Sequence, residues 1–281
     1  MQTLRGIFIL LVFVVTVLAT IPWQSSAIHW KLKRRKTLPN RYSRFLCKLF
    51  GIHVTVIGTP VRDRGVLMVS NHTSYLDIIV LGGTTPVSFV AKSEVDSWPF
   101  FGLMARLYET VFVERSRRSQ AGVARDQLRE RLQQGDALIL FPEGTSNDGN
   151  RVLPFKSALM GATEAIVGVD AQGHTEHVPV QPVTITYTGF HGMPMGRENR
   201  PLFAWYGDME LVPHLWEVAK AGPIDVVVEF HEPMTVDQMG GRKPLAARAE
   251  AVVREGQARA LAGLMTAPRP VHNPELTEVI A

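Results

Sequence analysis

A histidine, His72, stands five residues before an aspartate, Asp77, directly after the apolar run Val66-Leu67-Met68-Val69-Ser70. Across a strand-to-helix turn such a pair can act as a unit. The carboxylate holds one ring nitrogen while the other faces a substrate hydroxyl as a general base. The same spacing also fits a loop histidine followed by an aspartate that caps a helix. A second polar turn occurs where the apolar run Leu138-Ile139-Leu140-Phe141 stops abruptly at Pro142-Glu143-Gly144-Thr145. By itself this is an ordinary turn, with Gly144 supplying a positive φ and Glu143 in solvent. Two polar turns at strand ends point to one cleft, because open α/β sheets carry their sites beyond the carboxyl ends of their strands.

The elements that must position these turns can be read from periodicity. β-branched runs predict strands at 53–57, 66–70, 87–91, 111–114, 137–141, 180–186 and 226–230. Helical patterns fall between most of them. Ser119 to Gln134 sets Val123, Leu128 and Leu132 in a field of Arg, Gln and Glu, and Gly135 supplies its stop. The expectation is an α/β domain over 52–264, a mixed and largely parallel sheet flanked by helices. Residues 265–281, with prolines at 268, 270 and 274, read as a surface tail.

Charge is distributed unevenly. The formal net charge is +4, yet residues 1–62 hold ten Lys/Arg and no Asp or Glu, leaving twenty basic against twenty-six acidic residues in the remainder. A basic segment suits nucleic acid or anionic lipid. The neighbouring Gly6 to Trp23, free of charge, decides for anionic membrane lipid and against nucleic acid: as a helix it spans about 27 Å, close to a hydrocarbon core. Ser25-Ser26-Ala27 leaves a cleaved signal peptide as a rival. Against it, Arg5 alone precedes the stretch and Lys31, Lys33, Arg34, Arg35 and Lys36 follow, which keeps the following domain cytoplasmic. Residues 40–51 then place Tyr42, Phe45, Leu46, Leu49 and Phe50 on one stripe with Arg41, Arg44 and Lys48 off it, an amphipathic helix that either docks on the core or lies on anionic lipid. The expectation is a two-helix membrane anchor over 1–51, apolar helix 6–23 and basic helix 40–51, on the cytoplasmic face of an inner membrane. The lone Cys47 allows no internal disulfide.

Asn71-His72-x-x-x-x-Asp77 followed by Phe141-Pro142-Glu143-Gly144-Thr145 resembles the glycerolipid acyltransferase family, typified by 1-acylglycerol-3-phosphate acyltransferases. Three further stretches match in order. They are Val90 to Glu94 leading to Trp98-Pro99-Phe100-Phe101-Gly102, Val111-Phe112-Val113-Glu114-Arg115, and Val178-Pro179-Val180-Gln181-Pro182-Val183. Leu153-Pro154-Phe155-Lys156 is similar to the family's lysine-bearing segment. The resemblance, over roughly 66–186, implies direct transfer of an acyl group from a thioester to a lysolipid hydroxyl. It implies His72 and Asp77 as the catalytic pair, with Asn71, Arg115, Glu143, Gly144, Thr145 and Lys156 binding substrate. No cofactor is implied, the donor substrate being acyl-acyl carrier protein or acyl-CoA, and no metal. The residues agree with direct transfer and no acyl-enzyme, since no Gly-x-Ser-x-Gly elbow occurs and Cys47 lies far from His72 in sequence.

Two positions depart from the pattern. Family members acting on lysophosphatidic acid carry Gly six residues before the second-motif Arg, and Arg directly after Glu-Gly-Thr; here these are Glu109 and Ser146. Losing that guanidinium removes a bidentate phosphate partner, for which Arg151 or Lys156 could compensate. The alternative acceptor is a lyso-ornithine lipid, whose bacterial acyltransferases the run Thr145 to Lys156 resembles. His174-x-x-His177 has no third ligand at metal spacing and reads as a loop. Rival classes are a lipid-binding protein without catalysis and a thioester hydrolase.

Overall fold

The computed structural model of the chain describes residues 1–114, 118–169 and 175–264, with the backbone alone for 118–121 and 167–169. Arg115, His174 and the expected tail 265–281 lie outside the described residues. Helices α1 (Gln2–His29) and α2 (Arg34–Phe50) lead into β1 (Ile52–Ile57). The chain continues through β2 (Val66–Ser70), α3 (Leu76–Thr84), β3 (Ser88–Lys92), α4 (Phe101–Leu107), β4 (Val111–Val113), α5 (Arg118–Gln133) and β5 (Ala137–Leu140). After these come β6 (Ile166–Val169), β7 (Thr175–His177), β8 (Val180–Phe190), β9 (Met193–Pro194), α6 (Leu211–Ala221), β10 (Ile224–Phe230) and α7 (Arg242–Leu261).

One mixed sheet organises the molecule in the order β1-β10-β8-β2-β5-β3-β4. Strands β8, β2, β5, β3 and β4 run parallel, whereas β10 is antiparallel to β8 and carries β1 parallel to itself. β9 folds back on β8, and β6 pairs β7 in a separate ribbon. The α/β class with a mixed sheet is therefore as expected. The central β2 is buried along its whole length, and its side chains divide between two cores. Val66 and Met68 join one with α1, α2, α3 and α6; Leu67 and Val69 join another with α5 and α7. That two-sided burial is why β2 reads as a continuous apolar run and not an alternating one.

The N-terminal region differs from the expected anchor. The apolar helix is longer than 6–23, and the basic helix begins at Arg34, not at residue 40. Pro39 sits inside α2, where it removes the hydrogen bond to the carbonyl of Arg35. Gln24 of α1 fills that gap, donating from Nε2 to Arg35 O at 2.8 Å and to Leu107 O at 2.8 Å. α2 buries Pro39, Asn40, Ser43, Leu46, Cys47 and Phe50 and lies against α3, so it takes the docked alternative. Among the described residues only α1 is long and apolar enough to cross a bilayer, by length and composition.

α1 is itself part of the fold. Gly6, Ile9, Phe13, Val17, Gln24 and Ala27 are buried along one side, spread over nearly its full length of about 42 Å. At Gly6 the approach to α6 is so close that a Cβ would lie 2.9 Å from both Trp216 and Lys220 side-chain carbons. The Arg5 guanidinium donates to Ala219 O and, at 2.9 Å, to Phe50 O. One cation thereby caps the C-terminal turns of both α6 and α2, where free carbonyls and the helix dipole favour positive charge. Arg5→Ala is expected to lower stability by about 1–3 kcal/mol, as charged hydrogen bonds to backbone carbonyls are lost. Thermal unfolding in detergent checks this, and an unchanged midpoint would refute the double cap.

Candidate active site

β2 and β5 are neighbours, so the turns that leave their carboxyl ends meet. His72 Nδ1 lies 2.8 Å from Asp77 Oδ2, with the imidazole 21% exposed and the carboxylate fully buried. Asp77 Oδ2 also accepts the backbone N–H groups of Thr73 and Ser74 at 2.7 and 3.0 Å. Its Oδ1 accepts the Tyr187 hydroxyl at 2.7 Å. The carboxylate stands in the first turn of α3, where the helix dipole favours it. With Nδ1–H donated to Asp77, Nε2 is left as the basic nitrogen of the ring. Burial beside Asp77 keeps the Tyr187 phenol far above its ordinary range, so it serves as a donor.

The β5 turn supports this pair from the other side. The His72 ring stacks on Phe141 with centroids 4.0 Å apart and planes 17° apart. Glu143 Oε1 accepts the His72 backbone N–H at 3.1 Å, and Oε2 accepts the Asn147 amide at 2.8 Å. Asn147 donates to the His72 carbonyl twice, from its backbone and its side chain, both at 3.2 Å. Glu143 is 2% exposed. Burial pushes its carboxyl up to about 8, against hydrogen bonds from His72, Asn147 and Leu153 that favour ionisation, while the charge of Asp77 adds to the rise.

The residues expected to bind substrate divide in two. Asn71 is turned inward: its Nδ2 donates to Ile185 O at 2.8 Å, its Oδ1 accepts Ile185 N–H at 2.9 Å, and it is 1% exposed. The expected contact of Asn71 with substrate gives way to a brace between the β2 turn and β8. Glu143 likewise braces the His72 backbone from a buried position. Gly144 takes its positive φ of 78° and closes a turn onto Phe141 O at 3.2 Å, while Thr145 is exposed at the tip. Lys156 has an exposed side chain, and its backbone N–H binds Pro142 O at 2.9 Å, which places it beside this turn. Ser146 donates its hydroxyl to Trp205 O. Glu109 occupies a left-handed conformation, φ 51°, which accounts for a glycine preference there, and pairs with Arg35 at 3.4 Å.

Cys47 is buried in α2, and loss of solvent drives its thiol up to about 12, which suits packing and not nucleophilic attack. His177 lies on β7, its Nδ1 3.2 Å from Glu164 O. Among the described residues no cluster of His, Cys, Asp and Glu has the makings of a metal site. Tyr187, Asn147 and Phe141 were missed as site residues by sequence reasoning. The one available signal was the alternation Val183, Ile185, Tyr187, which puts the phenol on the face of β8 that meets α3.

Comparison with known proteins sets this geometry in context. Residues 53–186 match the family model described as Acyltransferase. A lyso-ornithine lipid O-acyltransferase of Brucella abortus is 45% identical over 261 residues, covering 93% of this chain and 97% of that protein. A protein of the same description from Rhizobium meliloti is 44% identical over 84% of this chain and 80% of its own length. Among solved structures, the 1-acyl-sn-glycerophosphate acyltransferase of Thermotoga maritima superposes with a TM-score of 0.64 at 26% identity, covering 94% of each chain.

The raised Glu143 carboxyl makes stability depend on pH. The folded chain holds a proton that the unfolded chain releases near 4.5, so this contribution is complete below that value and lost as pH rises through about 8. The slope is at most about 1.4 kcal/mol per pH unit. Thermal midpoints from pH 5 to 8.5 are expected to fall more steeply for the wild type than for Glu143→Gln. Parallel curves would contradict the assignment.

Proposed function

The chain belongs to the acyltransferase family and is a lysolipid acyltransferase of lipid biosynthesis; we propose that its acceptor is a lyso-ornithine lipid and that His72 is the base that activates the acceptor hydroxyl. The observation that carries the mechanism is the 2.8 Å contact of His72 with a buried, fully hydrogen-bonded Asp77. His72 Nε2 takes the proton of the hydroxyl as its oxygen attacks the thioester carbon, and the departing thiolate recovers that proton. Asp77 fixes the tautomer and stabilises the imidazolium that forms, as the aspartate does in serine-hydrolase triads. Asn71, Tyr187, Glu143 and Asn147 hold the pair in place, and Gly144, Thr145 and Lys156 line the acceptor side; Arg115 keeps its head-group role from the family pattern alone.

Two findings favour ornithine over phosphate. Similarity to the Brucella enzyme runs nearly end to end at 45% identity. Ser146, where phosphate-selective members carry Arg, offers no guanidinium, and its hydroxyl is committed to Trp205 O.

The exposed side of α1, with Leu4, Ile7, Phe8, Leu11, Val14, Val15 and Leu18, faces away from the domain. Because the other side packs along the domain, α1 lies within one leaflet and does not project across the bilayer. Exposed Trp98, Leu202, Met209 and Val212 add apolar contact, and the basic cluster following α1 supports binding to the anionic lipid of a cytoplasmic leaflet.

Purified protein in detergent, offered lyso-ornithine lipid and lysophosphatidic acid side by side with an acyl thioester, is expected to acylate the first at least tenfold faster. Equal or inverted rates would overturn the acceptor, and product unaffected by His72→Ala would overturn the mechanism. Tyr187→Phe, which deprives the Asp77 carboxylate of one donor, should lower kcat about tenfold at unchanged KM. A rise in KM alone would reassign Tyr187 to substrate binding.

A further inference from the structure

The loop that follows Glu-Gly-Thr carries a charge pattern that the acyl-transfer chemistry does not use. Asp148 lies between two residues clamped against the histidine turn. Asn147 binds the His72 carbonyl, and Gly149, at φ 74°, presses so closely on Thr73 that a Cβ would stand 3.1 Å from its methyl carbon. Asp148 itself is only half-buried. Its Oδ1 accepts Asn150 N–H at 3.1 Å, and its Oδ2 accepts the Asn150 side-chain amide at 3.2 Å.

Three arginines surround this loop, and they do different work. Arg200 is spent as a brace, donating to Asn150 Oδ1 at 2.6 Å and to Met195 O at 3.4 Å. Arg151 and Arg197 keep exposed side chains. Asn150, which both Asp148 oxygens engage, also donates from Nδ2 to Arg197 O at 3.3 Å, and Arg151 follows it in the chain, so both arginines stand at the loop. Their charges and the Asn150 hydrogen bonds hold the Asp148 carboxyl below its usual value although partial burial alone would raise it. The result is one carboxylate with two exposed arginines beside it, neither with a side-chain partner among the described residues, one residue beyond the contact to His72.

An ornithine acylated on one amine keeps a second amine and a carboxylate, so its head group is zwitterionic at neutral pH. A phosphomonoester offers only negative charge, which Arg151 and Arg197 attract and Asp148 repels. We propose that Asp148 binds the head-group ammonium and that Arg151 and Arg197 bind the head-group carboxylate, making this loop the reader of an amino-acid lipid. The assignment rests on the lyso-ornithine reading of the acceptor.

The test pairs enzyme variants with a modified acceptor. Lyso-ornithine lipid and the same lipid acetylated on its free amine are offered to wild type and to Asp148→Asn. Acetylation is expected to cut kcat/KM at least tenfold for the wild type and less than twofold for the variant. A variant whose loop is merely damaged would lose activity on both lipids and keep the wild-type ratio between them, which overturns the assignment, as would a wild type indifferent to acetylation. In the same way Arg151→Gln/Arg197→Gln should cease to distinguish the free carboxylate from its primary amide; retained discrimination would overturn the second half. If the wild type acylates neither ornithine lipid but does acylate lysophosphatidic acid, the acceptor reading falls and this assignment with it. That outcome is distinct from failure of the loop residues alone.

Discussion

A carboxylate taken out of water must be met by hydrogen-bond donors, or folding bears a cost of several kcal/mol. Asp77 is such a group. Its donors come from the His72 ring, from two consecutive backbone amides of the turn, and from Tyr187 on another strand. They converge only if β8 lies beside β2, the turn after β2 is tight, and α3 starts where it does. Asn71 enforces the same arrangement by continuing the β2–β8 pairing one residue past the strand, through its side chain. Satisfying one buried charge thus orders the sheet, the turn and the imidazole together, and the reactive ring inherits its orientation from folding.

The parts of this arrangement that lie close together in sequence were legible there. β2 and β5 announce themselves as unbroken apolar runs because both faces are covered, and the polar turns that end them differ sharply from what precedes. His72 and Asp77 are near enough for their pairing to be anticipated. Tyr187 is 110 residues from Asp77, and only the strand order brings it there. The reversal of β10 and β1 was equally hidden, since no local feature distinguishes the two directions of an apolar strand.

Residue type also says less than direction. Asn71 and Glu143 were expected at the substrate from resemblance to the family's motifs, yet both point into the protein and hold backbone groups. The apolar stripe that predicts α2 begins after Pro39, and a proline interior to a helix loses a hydrogen bond. Gln24, fifteen residues earlier in another helix, supplies the missing partner and lets the helix begin at Arg34. A helix called an anchor from its composition is on one side a core element, and Gln24 and Arg5 are the polar residues that make it so.

The Arg5 cap has a bearing on biosynthesis. The guanidinium is made well before its partner carbonyl on Ala219, which lies 214 residues further on. Until that residue is made, the inward side of α1, Ile9, Phe13 and Val17 included, lacks the cover of α6 and rests chiefly on α2 and α4 among the described residues. A bilayer surface can shelter the whole apolar helix during that interval and surrender one side of it as the late helix arrives. The membrane then acts as a holding site for a nascent segment, and the completed enzyme stays where its first helix waited.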